Sequence, residues 1–236
     1  MTGLTYSDYV QTGTLLSLQK THSPAGADRA VLLAEHFFIV AHQCSELWLK
    51  QVLADLETVV DLLRARSDDD LDLGAELLGR AGEVLRLMHE QVVVLERLPL
   101  RCFVEFRPRL GTASGAQSEQ FRLLAGLIGG DGTNGTLYQA FESASAHRGL
   151  SVAGVCRAGL GAGALHRIAE ALLDVGNGYW RWKVAHLGLM SSMVGDQEGT
   201  GGTSGMDHLA RRITVPFPEL RRIRGALHAG LTDRAR

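Results

Sequence analysis

Apolar residues recur at helical spacing along most of this chain, and alternation with a period of two is absent. The longest run predicts one helix over Asp28–Arg66, with Leu33, Phe37, Val40, Leu47, Val52, Leu56, Val59 and Leu63 as its apolar positions. Asp28 is its N-cap, just after the breakers Pro24 and Gly26, and the polar run Ser67-Asp68-Asp69-Asp70 ends it. A second helix is predicted over Leu71–Leu98 and closed by Pro99, so that two antiparallel helices bury their apolar stripes together. A denser stretch, Arg101–Ile128, follows, and then a glycine-rich turn over Gly129–Gly135. Leu137–Ala146 reads as a short helix, and Gly149–Gly163 carries no clear pattern. Leu165–Val194 is helical in pattern, weakened by Gly176, Gly178 and Gly188. Gly199–Gly205 is a loop, with Ser204 able to cap a segment over Gly205–Arg212; Pro216 and Pro218 introduce a last helix over Glu219–Leu231. No repeat is visible, and the fold class expected is all-α, a helical bundle.

At 236 residues and 45% hydrophobic, the chain can bury the core of one domain. With 24 basic and 26 acidic residues the formal charge is -2, which gives no footprint for nucleic acid. Cys44, Cys102 and Cys156 are far apart and form no C-x-x-C pair, so thiolate zinc and covalent haem attachment lack support. No signal peptide and no membrane-spanning run is evident, and a cytoplasmic location is expected.

Three segments carry possible chemistry. On the first, Phe38, His42, Ser45 and Leu49 share a helix face, so an imidazole stands beside an aromatic ring. Such a histidine is either a functional base or a core residue satisfied by a backbone carbonyl. On the second, Arg107 lies among Phe103, Phe106 and Leu110, and a guanidinium in that company holds a carboxylate through its planar fork. That carboxylate is either a ligand's or a protein side chain's, Glu105 and Glu46 being candidates. On the third, Trp182, His186 and Met190 align along one face. An imidazole in an apolar groove suits an axial haem ligand, and equally a packed core. The loop Gly199–Gly205 lacks the lysine of a phosphate loop and reads as a lid or a linker.

Taken in order, these pieces resemble the tryptophan 2,3-dioxygenase family. The resemblance runs from Thr5-Tyr6-Ser7-Asp8-Tyr9-Val10 through Phe38-Ile39-Val40-Ala41-His42-Gln43 and Glu46-Leu47-Trp48. It continues with Phe106-Arg107, Ala113-Ser114-Gly115, Gln117-Ser118 and Gln120-Phe121-Arg122, then Trp182, His186, Gly199-Thr200-Gly201-Gly202 and Pro218-Glu219-Leu220. It implies haem b between the helices, dioxygen as co-substrate, and oxidation of tryptophan or a close derivative to N-formylkynurenine. It implies a homo-oligomer, a tetramer or a dimer. By that resemblance His186 is the axial iron ligand and His42 the acceptor of the indole N–H. Arg107 grips the substrate carboxylate, Thr200 lies near the ammonium, Phe38 and Phe103 are aromatic walls, and Ser114 is a small polar residue by the haem. Tyr6, Tyr9 and Val10, on an arm over residues 1–27, complete a neighbouring subunit's pocket.

The chain also departs from the family's pattern. The interval from Arg122 to Trp182 is short, Ala116 stands where phenylalanine is common, and Trp182-Lys183-Val184-Ala185-His186 lacks the arginine expected close to that histidine. Asp196-Gln197-Glu198 makes the late loop acidic. Two further readings stay open at this point: a haem monooxygenase of a modified tryptophan or another aromatic amino acid, and a haem-binding helical protein without turnover.

Overall fold

The computed structural model describes residues 3–65, 67, 69–195, 197, 200 and 206–234. Helices α1 (Tyr6–Val10) and α2 (Thr12–Leu15) form a short arm; α3 (Arg29–Ala65) and α4 (Asp69–Leu95) are long. Then follow α5 (Leu100–Phe106), 3-10 turns at Arg107–Leu110 and Gly115–Gln117, α6 (Glu119–Ile128), α7 (Thr136–His147) and α8 (Val152–Ala158). A 3-10 turn at Gly159–Ala162 leads into the long α9 (Ala164–Met193), and α10 (Met206–Arg211) and α11 (Pro218–Arg234) complete the order. Among the described residues there is no strand, so the protein is all-α as its periodicity indicated.

Helix α3 starts where Asp28 caps it: its carboxylate accepts from the Ala30 N–H at 2.9 Å and its carbonyl from Val31 and Leu32. Its buried stripe is Leu49, Val52, Leu53, Leu56, Val59, Val60 and Leu63. Leu33 and Leu47, expected within the apolar stripe, are instead exposed at 61% and 50%. Each lies two residues, about 200° of helical rotation, from a buried neighbour, Val31 and Leu49, and so faces the other way. Arg80 of α4 donates twice to the buried Asp55 of α3, at 2.8 and 2.6 Å, and pins the two helices at one register.

Helix α4 packs along α9 even more extensively than along α3. The glycines of α9 that weaken the helical pattern permit close approaches. A Cβ at Gly178 would stand 3.0 Å from the Leu85 Cβ, and one at Gly176 would stand 3.1 Å from the Phe217 ring. The helix runs unbroken through both. The patternless stretch at 149–163 contains α8, which Ser151 caps by accepting from the Gly154 N–H at 3.0 Å.

Two apolar clusters result. The larger joins α3, α4, α6, α7, α8, α9 and the start of α11. The smaller gathers Val31, Ala34, Leu98, Cys102, Phe103 and Phe106, with Phe37, Phe38, Leu110 and Met193 against it. The arm is tied down behind α1 and α2: the Glu35 carboxylate accepts from the His22 and Ser23 N–H groups at 2.7 and 3.0 Å, and Gln43 donates to the Leu18 carbonyl at 3.1 Å. No helix among the described residues is long and apolar enough to cross a membrane.

Candidate active site

Between the two clusters lies a cavity of about 720 Å³. Its walls include Phe38 from α3, Phe103 and Arg107 from the α5 corner, Ser114 and Ala116 from the second 3-10 turn, and Phe121 from α6. Trp182, Lys183, His186, Leu187 and Met190 of α9 form the opposite side, and Thr200 closes part of it. Six residues singled out from the sequence, Phe38, Phe103, Arg107, Ser114, His186 and Thr200, are thus brought into one space.

The α9 wall is an aromatic column. Phe121 stacks on Trp182 with ring centroids 4.6 Å apart, and Trp182 stacks on His186 at 5.8 Å and 19°. Helical spacing of four residues places the indole directly behind the imidazole. Burial, assisted by the neighbouring His42 and Lys183, pushes the His186 pKa down to about 4. The ring is therefore neutral at pH 7, and among the described residues neither of its nitrogens has a hydrogen-bond partner.

His42 stands beside the cavity against Phe38, centroids 4.0 Å apart, and is not one of the lining residues. Its Nδ1 lies 2.7 Å from the Phe38 carbonyl. A carbonyl oxygen accepts only, so Nδ1 carries the proton and Nε2 of the neutral ring offers a lone pair. The ring is accessible in the single chain, yet the protein around it lowers its pKa against the opposing pull of the Phe38 bond and Glu46. The carbonyl-satisfied histidine and the hydrogen-bond acceptor are thus one arrangement seen from its two nitrogens.

Phe38, Phe103 and Phe106 form a ring cluster, with centroids 5.4 to 6.1 Å apart and Phe106 edge-on to the other two. This fixes the corner from which Arg107 enters the cavity. Glu46, a candidate protein partner for Arg107, instead accepts from Gln120 at 2.6 Å. Ser114 and Gln117 form a capping box that holds the 3-10 turn. Thr200 donates to the Ala113 carbonyl at 2.6 Å, just before that turn. The remaining loop positions, Gly199, Gly201, Gly202, Thr203, Ser204 and Gly205, and the acidic Asp196 and Glu198, lie outside the described residues.

Tyr6, Tyr9 and Val10 are not brought to this cavity. They project from the arm at 77%, 76% and 39% exposure, and α1 buries no residue. Other lining residues received no role from the sequence: Arg122, Tyr179, Lys183, Arg212 and the turn at Gly130. Lys183 lies three residues before His186 on α9, but that spacing alone does not mark a lysine as functional.

A profile of the family described as tryptophan 2,3-dioxygenase matches residues 1–150 and 143–227. The chain belongs to the tryptophan 2,3-dioxygenase family. It is 30% identical to a tryptophan 2,3-dioxygenase of Anaeromyxobacter sp. (strain K) over 265 positions, covering 95% of this chain and 96% of that protein. It is 30% identical to one of Myxococcus xanthus, covering 94% and 89%, and 29% identical to one of Herpetosiphon aurantiacus, covering 95% and 98%. The 265 aligned positions exceed the 236 residues of the chain, so its relatives carry segments that it lacks. The two profile matches meet at residues 143–150, inside the shortened interval between Arg122 and Trp182. It is a divergent member of the tryptophan 2,3-dioxygenase family.

The donor set fits a haem. An imidazole held neutral by its surroundings is the form that ligates iron. It faces an aromatic cavity whose volume lies within the range of about 300–1,000 Å³ that encloses cofactor-sized ligands.

Proposed function

We propose that this protein is a haem-dependent dioxygenase that opens the indole ring of L-tryptophan, or of a close derivative, to an N-formylkynurenine. The observation that carries this reading is the presence of the neutral His186 and the Arg107 guanidinium in one aromatic cavity. Family membership supplies the reaction class.

His186 would hold haem b, which supplies the redox chemistry that lets dioxygen react with an electron-rich ring. The chain's own residues supply placement. Arg107 takes the amino acid's carboxylate as a charge-assisted pair, which fixes one end of the substrate. Phe38 and Phe103 hold the ring as flat apolar walls and keep water out. His42 Nε2, bare of a proton, accepts from the indole N–H and sets the ring's rotation. Thr200 lies near the substrate's ammonium. Both oxygen atoms end in the product, so turnover consumes no external reductant.

The exposed Tyr6 and Tyr9 support an arm, residues 1–27, that reaches a second copy and completes its pocket in a homodimer or homotetramer. The rest of the chain forms one helical domain.

A second reading is oxygenation of a ring-substituted tryptophan. Ala116, small where phenylalanine is common, lines the cavity and leaves room for a substituent. One experiment tests both. The purified chain is loaded with haem b, reduced without oxygen, then given oxygen and L-tryptophan or its 5- and 6-methyl forms, and the products are weighed. Gain of two oxygen atoms with ring opening is expected. Gain of one oxygen with the ring intact, or no product from any of the three, overturns the dioxygenase reading.

A further inference from the structure

The charge of the cavity is unbalanced. Among the described residues its lining carries the cationic side chains Arg107, Arg122, Lys183, Arg211 and Arg212 against the carboxylate of Asp131, with Arg122 also paired with Glu119 at 3.2 Å. The chain as a whole has a formal charge of -2, so the excess among the described lining residues is local. Asp131 is already committed, since its Oδ1 accepts from the Thr133 hydroxyl and N–H at 2.6 and 3.0 Å.

Lys183 is the decisive member. It is half-buried, and its ammonium donates to the Arg212 backbone carbonyl and lies 5.4 Å over the Tyr179 ring. Among the described residues no carboxylate pairs with it. An ammonium has three protons, and the carbonyl uses one. A lysine charge withdrawn from water without an anion is costly, and in proteins such charges are paired. The anion that pairs with it comes from whatever fills the cavity. Arg107 serves a different wall, with Phe103 and Leu110 of the smaller cluster. Lys183 belongs with Tyr179, Arg212 and the turn at Gly130, where the Thr214 hydroxyl donates to the Gly130 carbonyl at 2.5 Å. A Cβ at Gly130 would meet the Tyr179 hydroxyl at 3.0 Å, so this end is floored by bare backbone.

The geometry points to a carboxylate subsite at Lys183, beside Arg212, that takes the acid side chains of the tetrapyrrole whose iron His186 holds. This rests on the haem reading above. Lys183 lies three residues before His186 on one face of α9, about 4.5 Å along the axis. A single helix turn therefore presents both the axial nitrogen and a counter-charge to one flat ligand.

The test compares haemin with haemin dimethyl ester, whose acid groups are masked, by Soret titration of the full chain. The unaltered protein is expected to bind haemin about tenfold or more tighter than the ester, as suits a charge-assisted contact. Lys183→Gln is expected to lose about tenfold for haemin and little for the ester, and Lys183→Arg to retain the preference. Axial-histidine spectra should be the same in all three. Equal affinity for haemin and ester in the unaltered chain overturns the subsite, as does an equal loss for both in Lys183→Gln. A third arm measures L-tryptophan and tryptamine, which lacks the carboxylate, on the haem-loaded proteins. If Lys183→Gln weakens only tryptophan and leaves haemin untouched, the subsite serves the substrate's acid group and the proposal fails. Failure of the chain to take up either porphyrin overturns both the subsite and the haem reading, whereas the other failures leave the haem reading standing.

Discussion

The imidazole of His186 lies against the indole of Trp182, centroids 5.8 Å apart and planes 19° from parallel, with Phe121 behind the indole at 4.6 Å. Trp182, itself held by Phe121, leaves the imidazole little freedom to rotate, so its free edge is directed before any ligand arrives. Preorganisation of this kind removes an ordering cost from binding.

His186→Ala is expected to abolish stoichiometric haem uptake, because among the described residues no other imidazole lines the cavity. The check is the Soret band of the purified variant after haem loading. A full complement of bound haem with unchanged ligation would mean that iron is held elsewhere. Trp182→Leu keeps the ligand and removes its support, and is expected to weaken haem binding with the ligation spectrum intact.

Arg107→Ala is expected to raise KM for L-tryptophan steeply, with a loss in kcat/KM worth about 2–5 kcal/mol, as for truncation of a buried charged pair. Arg107→Lys should recover part of this, since an ammonium keeps the charge but not the two-pronged geometry. Tryptamine separates a binding role from a structural one: the variant should lose little for a substrate with no carboxylate. Equal losses for tryptophan and tryptamine would assign Arg107 to the fold.

The helices were legible because their apolar stripes are long. Leu49 to Leu63 in α3 gives four turns of one buried face, and the capping signal at Asp28 matches an observed bond. Local signals did not reveal what tertiary packing decides. Gly176 and Gly178 weaken a helix by propensity, yet they are where Phe217 and Leu85 approach α9. In the stretch 149–163, Gly149 and Gly159 at positive φ end short segments and hide α8 between them. In the site, Arg107 and His186 were visible because a polar group interrupts an apolar face. Lys183 was not, because a lysine on a helix surface is ordinary until its surroundings are known.

Gly135→Ala is expected to destabilise the chain by more than about 1 kcal/mol. A Cβ there would fall 2.3 Å from the Gly129 nitrogen and the Leu127 carbonyl oxygen, both backbone atoms that cannot turn aside. The damage should spread to the cavity, because the same turn carries Gly130 and Asp131. Thermal unfolding of the haem-free chain is the measurement, and an unchanged midpoint would show that the turn has room to open.

Acidity acts on two imidazoles in the same direction. Burial lowers the His186 pKa from 6.5 to about 4, and crowding also lowers that of His42. In the unfolded chain both titrate near the ordinary histidine value, so below about pH 6.5 the unfolded state binds more protons than the folded one. Stability of the haem-free chain should therefore be fully present above pH 6.5 and decline as the pH falls towards 4. His186→Phe, which cannot take a proton, should flatten that decline, read as the slope of unfolding free energy between pH 7 and 5. Catalysis reports His42 separately. Its Nε2 accepts only while the ring is neutral, so kcat/KM should stay level from pH 8 to pH 6.5 and fall as the pH drops through the lowered pKa. His42→Ala should start from a lower kcat/KM and show no such limb. A limb that persists at the same pH in that variant would move the titration to another group.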